Sequence, residues 1–272
     1  MAPPAKESGG SLLRFLITLA LIAWAIRSFI VAPFSIPSGS MLPTLYIGDY
    51  LLVAKWPYGY SRYSFPMDFP PFGGRILGHD PKRGDIVVFR HPNSDYDLIK
   101  RVIGLPGDTI EVRGGRVILN GAPVDRRRIA PVAVPISPNS PCKTAPPAVP
   151  KQLQTATEGP LCFYHAWRET LPGGPSYTVL DQVAAGPADD FAVVTVPAGH
   201  VFLMGDNRDD SLDSRFGAEL GGIGMVPTER LIGRALISFW STDGSATYLN
   251  PISWVTALRP GRMGHVYETG AR

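Results

Sequence analysis

The feature that most constrains this chain is a long apolar run near its N-terminus, residues 12–31, LLRFLITLALIAWAIRSFIV. A helix needs about 20 predominantly apolar residues to cross the hydrocarbon core of a bilayer. Arg14 and Arg27 stand near the two ends, where long side chains can extend toward the headgroups. Apolar residues cover nearly every face, which argues against a helix packed on a soluble core. The run predicts a transmembrane anchor; a removable leader of the same polarity is the alternative.

Charges on the short side of this anchor predict its direction. Residues 1–11 are too few to form a domain, and Lys6 together with Arg14 makes that side positive. Positively charged flanks tend to stay in the cytoplasm. We therefore expect residues 1–11 to be a short cytoplasmic tail and the chain after residue 31 to face the opposite side. The rest of the sequence offers no second run of this kind, so a single crossing is expected.

The chain after the anchor has the pattern of a mostly antiparallel β protein. Charged residues make up only 18%, and 28 Pro and 29 Gly divide the sequence into short runs of strand length. The segment 109–121, TIEVRGGRVILNG, predicts a hairpin, because two alternating runs meet at a Gly-Gly pair. Prolines then crowd the sequence and the pattern weakens, which favours an inserted smaller β-rich subdomain at 122–197. The main core domain is expected from 32–121 and 198–272, the latter including the C-terminal tail.

Charge and cysteine content give weaker information. The net charge is +3, and the one dense basic run, Arg126 to Arg128, lies between turn residues, which predicts a solvated loop and no nucleic-acid partner. Cys142 and Cys162 would be expected to pair outside the cytosol and to stay free thiols inside it. The sequence leaves that choice open. It contains no zinc-type spacing, so we expect neither a metal nor a cofactor.

A candidate nucleophile lies just beyond the anchor. Ser40 stands in the segment 36–45, IPSGSMLPTL, in which Pro37 and Pro43 stiffen the backbone and Gly39 permits a sharp turn. A serine hydroxyl needs a base in order to attack. The five histidines provide no recognisable pairing, because the sequence lacks a GxSxG elbow and an HExxH motif.

Lys100 is the candidate base. It lies in DLIKRVIGLPGD, where strand alternation sends Lys100 and Arg101 to opposite faces, so that one of the two cations is expected to face the core. Arginine does not lose its proton in proteins, whereas burial can lower the pKa of a lysine by about 3–5 units. The alternative is a lysine at a strand edge in water.

A third segment, residues 202–215, FLMGDNRDDSLDSR, packs many charges into one loop. Such density predicts a hydrogen-bonded scaffold in which Asp or Arg side chains orient their neighbours. Ser211 within it is placed to bond a neutral lysine.

Together these segments resemble the bacterial type I signal peptidases. The stretches that carry the resemblance are FSIPSGSMLPTLYIGDYLLVAK (34–55), RGDIVVFRHP (83–92), LIKRVIGLPGD (98–108), GHVFLMGDNRDDSLDSR (199–215) and LIGRALISFW (231–240). Two departures stand out. Leu98 occupies a position where many members carry an aromatic residue, and residues 216–227 are longer than the usual aromatic pair and glycine.

The resemblance implies a role for each matching residue. Ser40 corresponds to the nucleophile and Lys100 to the general base. Ser38 corresponds to the side-chain donor to the oxyanion, and Ser211 to the serine that orients the lysine. The implied supporting loop comprises Gly205, Asp206, Asn207, Arg208, Asp213 and Arg215. The implied walls of the substrate pockets are Phe34, Ile36, Pro37, Met41, Leu45, Leu98 and Ile99.

The resemblance also implies an activity and a location. The expected protein is a membrane-bound serine endopeptidase that removes signal peptides from exported preproteins, cutting after small residues. Its expected partners are preprotein signal peptides and membrane lipid. It would cross the bacterial inner membrane once, with the catalytic domain on the periplasmic side. Two alternatives remain open: a specialised peptidase of the pilus or conjugation type, and a tethered binder of exported chains that does not cut.

Overall fold

The apolar N-terminal run forms a helix that extends away from the rest of the chain. The computed structural model describes residues 9–142, 153–155 and 159–267. Helix α1 (Gly9–Ala25) continues into a π-helical turn, Ile26–Ile30. Residues Ser11–Ile30 have a mean hydropathy of 1.8, and nearly all their side chains are exposed. The observed helix ends at Ile30, one residue before the predicted end at residue 31, because Val31 already belongs to the first strand.

The remainder is built from short strands joined by turns and 3₁₀ helices. In the part of the chain that the structure describes, the strands are β1 (Val31–Ser35), β2 (Asp49–Ala54), β3 (Ile86–Arg90), β4 (Asp97–Gly104), β5 (Thr109–Arg113), β6 (Arg116–Leu119), β7 (Ala122–Pro123), β8 (Asp125–Pro135), β9 (Leu153–Thr155), β10 (Gly159–Thr170), β11 (Ser176–Leu180), β12 (Phe191–Thr195), β13 (His200–Met204), β14 (Val226–Pro227) and β15 (Leu231–Ser241). The short helices are α2 (Pro251–Thr256) and the 3₁₀ turns Gly39–Met41, Trp56–Tyr58, Arg62–Ser64, Pro66–Asp68, Arg208–Asp210, Ala218–Leu220, Thr228–Arg230 and Pro260–Arg262.

The main sheet brings the three candidate segments together. Within the described residues its strand order is β1-β2-β15-β3-β4-β13-β14, and every pairing is antiparallel. The turn between β1 and β2 carries the candidate serine, β4 carries the candidate lysine, and the charged loop follows β13. The predicted fold class, mostly antiparallel β behind one apolar N-terminal helix, is confirmed.

Two smaller sheets complete the described fold. The predicted hairpin is confirmed: β5 and β6 pair across the Gly-Gly turn in a sheet of order β12-β5-β6-β7. Strands β8, β10 and β11 form another sheet, with β9 paired to β10. Since β12 returns to pair with β5, the last strand of 122–197 shares a sheet with the hairpin that precedes this region. The proposed domain boundaries stay a prediction.

The structure around β8 and β10 answers two questions: whether the two cysteines pair, and whether the basic run forms a loop. Cys142 and Cys162 form a disulfide, with their Cα atoms 5.5 Å apart. The run from Arg126 to Arg128 is part of β8, so the prediction of a loop there was wrong, whereas Arg127 and Arg128 are exposed to solvent as expected. The side chain of Arg126 is largely buried, pairs with Asp181 and stacks 4.4 Å over the Trp167 ring.

Apolar side chains form the cores that hold these sheets to the catalytic region. One cluster beneath the main sheet contains Met41, Leu45 and Tyr267, so the C-terminal segment packs under the turn that carries the candidate serine, which we call the catalytic turn for its proposed role. Another contains Leu42 and Cys162, so the β8–β10 sheet packs directly against the same turn. The turn is thereby supported from two sides.

Candidate active site

The candidate nucleophile lies on a closed and buried turn. Ser40 stands in the 3₁₀ turn Gly39–Met41 and is 7% exposed. The base of the turn is closed because the Ile36 amide donates to the Asp49 carbonyl at 2.9 Å. Asn207 fastens the tip: its amide N–H donates to the Ser40 carbonyl at 3.0 Å, and its side chain donates to the Gly39 carbonyl at 3.1 Å. The serine is therefore held in one place by a distant segment of the chain.

The candidate base reaches this serine directly. Nζ of Lys100 donates to Oγ of Ser40 at 2.6 Å, and Lys100 is 3% exposed. Burial lowers the pKa of Lys100 to about 8, against the opposing charges of Asp213, Asp206 and Asp210. A lysine with such a pKa is neutral in a usable fraction of molecules near neutral pH, which is the condition for accepting a proton from the serine.

The neighbouring cation is buried as well. One of the two cations was expected to face the core, and Lys100 does; Arg101 is buried as well, because Tyr177 of β11 covers it. Arg101 is 4% exposed, donates to both oxygens of Asp206 at 2.8 and 2.6 Å, and lies 4.2 Å over the ring of Tyr177. The two cations therefore differ in their chemistry: the charge of Arg101 is paired with the carboxylate of Asp206, whereas burial lowers the pKa of Lys100.

The two other serines lie beside the pair. Oγ of Ser38 is 3.5 Å from Oγ of Ser40. Ser211 is buried and lines a cavity together with Lys100, but no hydrogen bond joins these two side chains among the described residues. A Cβ at Gly205 would lie 2.3 Å from Oγ of Ser211 and 2.5 Å from the Ser40 carbonyl oxygen. Glycine at 205 is what allows Ser211 and the catalytic turn to approach so closely.

The charged loop after β13 is a buried scaffold, as predicted. Asp213 accepts from Nε of Arg215 at 2.9 Å and from the Gly205 amide at 3.0 Å. Burial raises the pKa of the Asp213 carboxyl, but the Arg215 charge and these bonds outweigh it and hold that pKa below its usual value. Arg208 makes a two-point contact with the buried Glu169, in which one Nη–Oε distance is 3.0 Å. This contact ties the loop to β10.

A small apolar cavity opens beside Ser40. Its volume is about 40 Å³, enough for a small side chain. Among the expected pocket walls, those that line it together with Ser40 and Lys100 are Phe34, Ile36, Pro37, Leu98 and Ile99. Met41 and Leu45 lie beneath these walls in the core and are fully buried. Ser35, Val88 and Asp97 also line the cavity and were not anticipated.

A second, larger cavity of about 450 Å³ lies on the other side of the pair. Ser38, Ser40, Leu98 and Lys100 line both cavities. Asp210 and Leu212 belong to the wall of the larger one. The negative charge of Asp210 raises the pKa of Lys100, so this carboxylate affects the protonation of the candidate base.

Comparison with known proteins decides the family. Residues 10–240 match the family model described as signal peptidase, peptidase S26. This chain belongs to that family. It is 35% identical to the signal peptidase I of Rickettsia rickettsii (strain Sheila Smith), over 98% of this chain and 95% of that protein. It is 34% identical to the signal peptidase I of Rickettsia akari (strain Hartford), over 94% and 91% of the two chains.

Membership of the peptidase S26 family makes this chain a serine endopeptidase. A solved structure, that of a signal peptidase I from Enterococcus faecalis V583, is 22% identical and covers 57% of this chain and 97% of that one, with a TM-score of 0.29.

Sequence reasoning missed two arginines of the C-terminal tail that support the catalytic turn of this S26 peptidase. Arg262 donates to the Thr44 carbonyl at 2.8 Å and to Asp49 at 2.6 Å. Arg259 donates to the Ile47 carbonyl at the end of this turn and, at 2.6 Å, to the Thr242 carbonyl. The Arg262 guanidinium lies 4.0 Å from the centre of the Tyr46 ring. The paired arginines of LRPGRMG were the available signal, in a stretch that otherwise has no motif.

A group of carboxylates connects the loop before β12 to the charged loop after β13. Oxygen atoms of Asp181, Asp189 and Asp209 lie within 4.8 Å of one another. Asp209 accepts from the backbone amides of Gln182, at 2.5 Å, and Val183, at 3.1 Å. The three residues come from separate segments, so a sequence pattern could not reveal the cluster.

Proposed function

We propose that this S26 peptidase removes signal peptides from exported preproteins, with Ser40 as nucleophile and Lys100 as general base. The observation that carries the proposal is the 2.6 Å contact between Nζ of Lys100 and Oγ of Ser40, two side chains that are both buried. Its signal peptidase I relatives support the removal of signal peptides as the activity.

The chemistry follows from the two side chains. Oγ of Ser40 attacks the scissile carbonyl carbon and passes its proton to the neutral amine of Lys100. The resulting ammonium gives that proton to the leaving amine as the C–N bond breaks, which leaves an ester on Ser40. Lys100 then takes a proton from water, whose oxygen attacks the carbonyl carbon of the ester. The ammonium returns that proton to Oγ of Ser40 as the C–O bond breaks, which releases the carboxylic acid product and restores the serine and the neutral lysine. Ser38, 3.5 Å from the nucleophile, is the proposed side-chain donor to the oxyanion.

The cavity beside Ser40 supports cleavage after small residues. Its volume of about 40 Å³ suits a methyl-sized side chain, and its walls are mainly apolar. A larger side chain would have to displace Ile36 or Ile99, which belong to the packed core. Displacing packed core residues costs about 1–3 kcal/mol. A penalty of that size at the residue before the cut would give the enzyme its preference.

The location that we propose is the bacterial inner membrane, crossed once by residues 11–30, with the catalytic domain on the periplasmic side. Support comes from the apolar helix and from the disulfide between Cys142 and Cys162, which is typical of an oxidising compartment. The anchor ends where β1 begins, and β1 leads straight to the Ser40 turn. This arrangement keeps the site close to the membrane from which a signal peptide emerges.

The test is precursor cleavage by purified full-length protein. Wild type is expected to cut several secretory precursors, whereas Ser40→Ala and Lys100→Met are expected to be inactive. The matched controls are Ser245→Ala and Lys82→Met, which change exposed residues. Undiminished cleavage by Ser40→Ala would reject the proposed nucleophile, and binding of precursors without cleavage by wild type would favour the tethered binder. A pilus or conjugation specialist would leave most secretory precursors intact.

A further inference from the structure

The larger cavity beside the catalytic pair, of about 450 Å³, is mostly apolar, although Ser40 and Lys100 also line it. The large apolar side chains in its wall are those of Tyr96, Leu98, Leu212, Phe216 and Ile223. Of these, Tyr96 is 53% exposed and Leu212 is 55% exposed. Apolar side chains that line a concave surface and stay exposed mark a place where another molecule binds. The chemistry proposed above leaves this cavity without an occupant.

Leu212 holds an unusual position in the charged loop. It is the only residue with a large apolar side chain in the segment 205–215. Its neighbours Ser211 and Asp213 are 4% and 0% exposed, so both point into the scaffold. The leucine lies outside it, with Cδ1 3.8 Å from the Cβ position of Gly221. Packing within the protein does little to account for a leucine here, whereas a ligand in the cavity would contact it.

The segment 216–227 completes the wall beside Leu212. It folds back on itself, because a Cβ at Gly222 would lie 2.2 Å from the Phe216 carbonyl oxygen. This fold brings the half-buried Phe216 and the buried Ile223 to the cavity. The two features by which the sequence departs from the family pattern, this longer segment and Leu98, therefore line the same cavity.

The polar groups of the cavity lie next to the bond that the proposed reaction breaks. Oδ2 of Asp210 lies 3.4 Å from the Cβ position of Gly39, the residue before Ser40. The leaving amine takes its proton from Lys100, which lines both cavities. The small cavity of about 40 Å³ holds the residue before the cut. Among the described residues, the larger cavity is thus the space left for the chain after the cut.

We infer that the larger cavity is the subsite for the first two residues of the mature chain, and that Leu212 makes it favour a large apolar side chain there. The inference rests on the function proposed above and adds a second selection to it. A small residue is selected before the cut and a large apolar residue after it. Contacts with Leu212 and Phe216 that persist while Ser40 attacks stabilise the transition state, so kcat/KM rises for precursors that carry such a residue.

The experiment compares precursors that differ in one residue. All share one signal peptide with Ala before the cut, and they carry either Ala or Phe at the first or at the second position after it. Purified full-length wild type, Leu212→Ala, Leu212→Met and the control Val193→Ala cleave them in detergent micelles. Val193 is an exposed apolar residue of β12 that does not line the cavity. The readout is the ratio of kcat/KM for Phe over Ala, because a misfolded fraction lowers both values equally.

Wild type and Val193→Ala are expected to favour Phe about tenfold at one of the two positions, the lower end of what an apolar pocket contact provides. Leu212→Ala is expected to bring this ratio close to one, whereas Leu212→Met, which keeps a large apolar side chain, retains it. A wild-type ratio near one at both positions would overturn the inference and leave the proposed function intact.

Three other results also have a defined meaning. An unchanged ratio in Leu212→Ala would overturn the inference, because Leu212 would not be the determinant. Equal loss of the ratio in Leu212→Met or in Val193→Ala would overturn it too, since apolar contact at this position would not be the cause. Failure of wild type to cut any of the precursors would reject the proposed function itself.

Discussion

Replacing Lys100 by methionine is expected to abolish activity and to make the protein more stable at neutral pH. Burial lowers the pKa of Lys100 from 10.5 to about 8. A difference of about 2.5 pKa units, at about 1.36 kcal/mol each, corresponds to roughly 3 kcal/mol of folding free energy. The variant gains this stability because it no longer buries an amine, but it loses the hydrogen bond to Ser40, which destabilises it by about 1 kcal/mol. The expected net increase in the free energy of unfolding is therefore about 2 kcal/mol.

The size of this stabilisation depends on pH. Below pH 8 the unfolded chain keeps its lysine charged in water, whereas the folded chain must either hold a buried ammonium or release the proton, so the penalty is fully present. Between about pH 8 and 10.5 the folded state has lost a proton that the unfolded state still binds, and stability rises with pH. The advantage of Lys100→Met should therefore shrink across this interval.

Urea denaturation in detergent micelles, followed by circular dichroism, measures both effects. Wild type, Lys100→Met and the exposed control Lys82→Met are compared at pH 7 and near pH 10. We expect Lys100→Met to be the more stable protein at pH 7, with a smaller difference at pH 10, and Lys82→Met to match wild type at both. A Lys100→Met protein that is less stable at pH 7, or whose advantage does not change with pH, would refute burial as the cause of the lowered pKa.

Three further predictions concern the surroundings of the pair. Asp210→Asn removes a charge that raises the pKa of Lys100, so the rise of the cleavage rate with pH should move to lower pH. The control Asp80→Asn should leave the pH profile unchanged. An unchanged pH profile in Asp210→Asn would contradict this prediction. Gly205→Ala places a Cβ 2.3 Å from Oγ of Ser211, so we expect at least a tenfold loss of kcat, about 1.4 kcal/mol of barrier. Gly73→Ala, with open space at its Cβ, is the control, and equal kcat values for the two variants would count against the tight packing at 205. Reduction of the disulfide, which closes a loop of 20 residues, should lower the free energy of unfolding by about 3 kcal/mol; identical denaturation curves with and without dithiothreitol would disprove that contribution.

The fold class and the catalytic candidates could be predicted because their signals are local. The anchor is one continuous apolar run, and the 109–121 hairpin is two alternating runs around a Gly-Gly pair. Ser40 and Lys100 were identified from the motifs around them. Their meeting at 2.6 Å depends on β3 and β15, which place β4 beside the turn, and that arrangement is visible only in the folded chain.

Contacts between distant segments could not be predicted. The sequence predicted that Lys100 and Arg101 lie on opposite faces of β4, but not that Arg101 is also buried, by Tyr177 of β11 and by Asp206 of the loop after β13. Arg262 supports the catalytic turn from a tail with no recognised motif. Strand alternation tells which side chains share a face of one strand, but not which other sheet covers that face.

The pH dependence of kcat/KM for precursor cleavage tests the central claim most directly. If neutral Lys100 is the base, kcat/KM should rise with increasing pH to a half-maximum near pH 8, the pKa of the buried amine, and Lys100→Met should show no activity at any pH. A half-maximum near the ordinary histidine pKa of about 6.5, or a rate that does not change between pH 6 and about 10, would contradict the account.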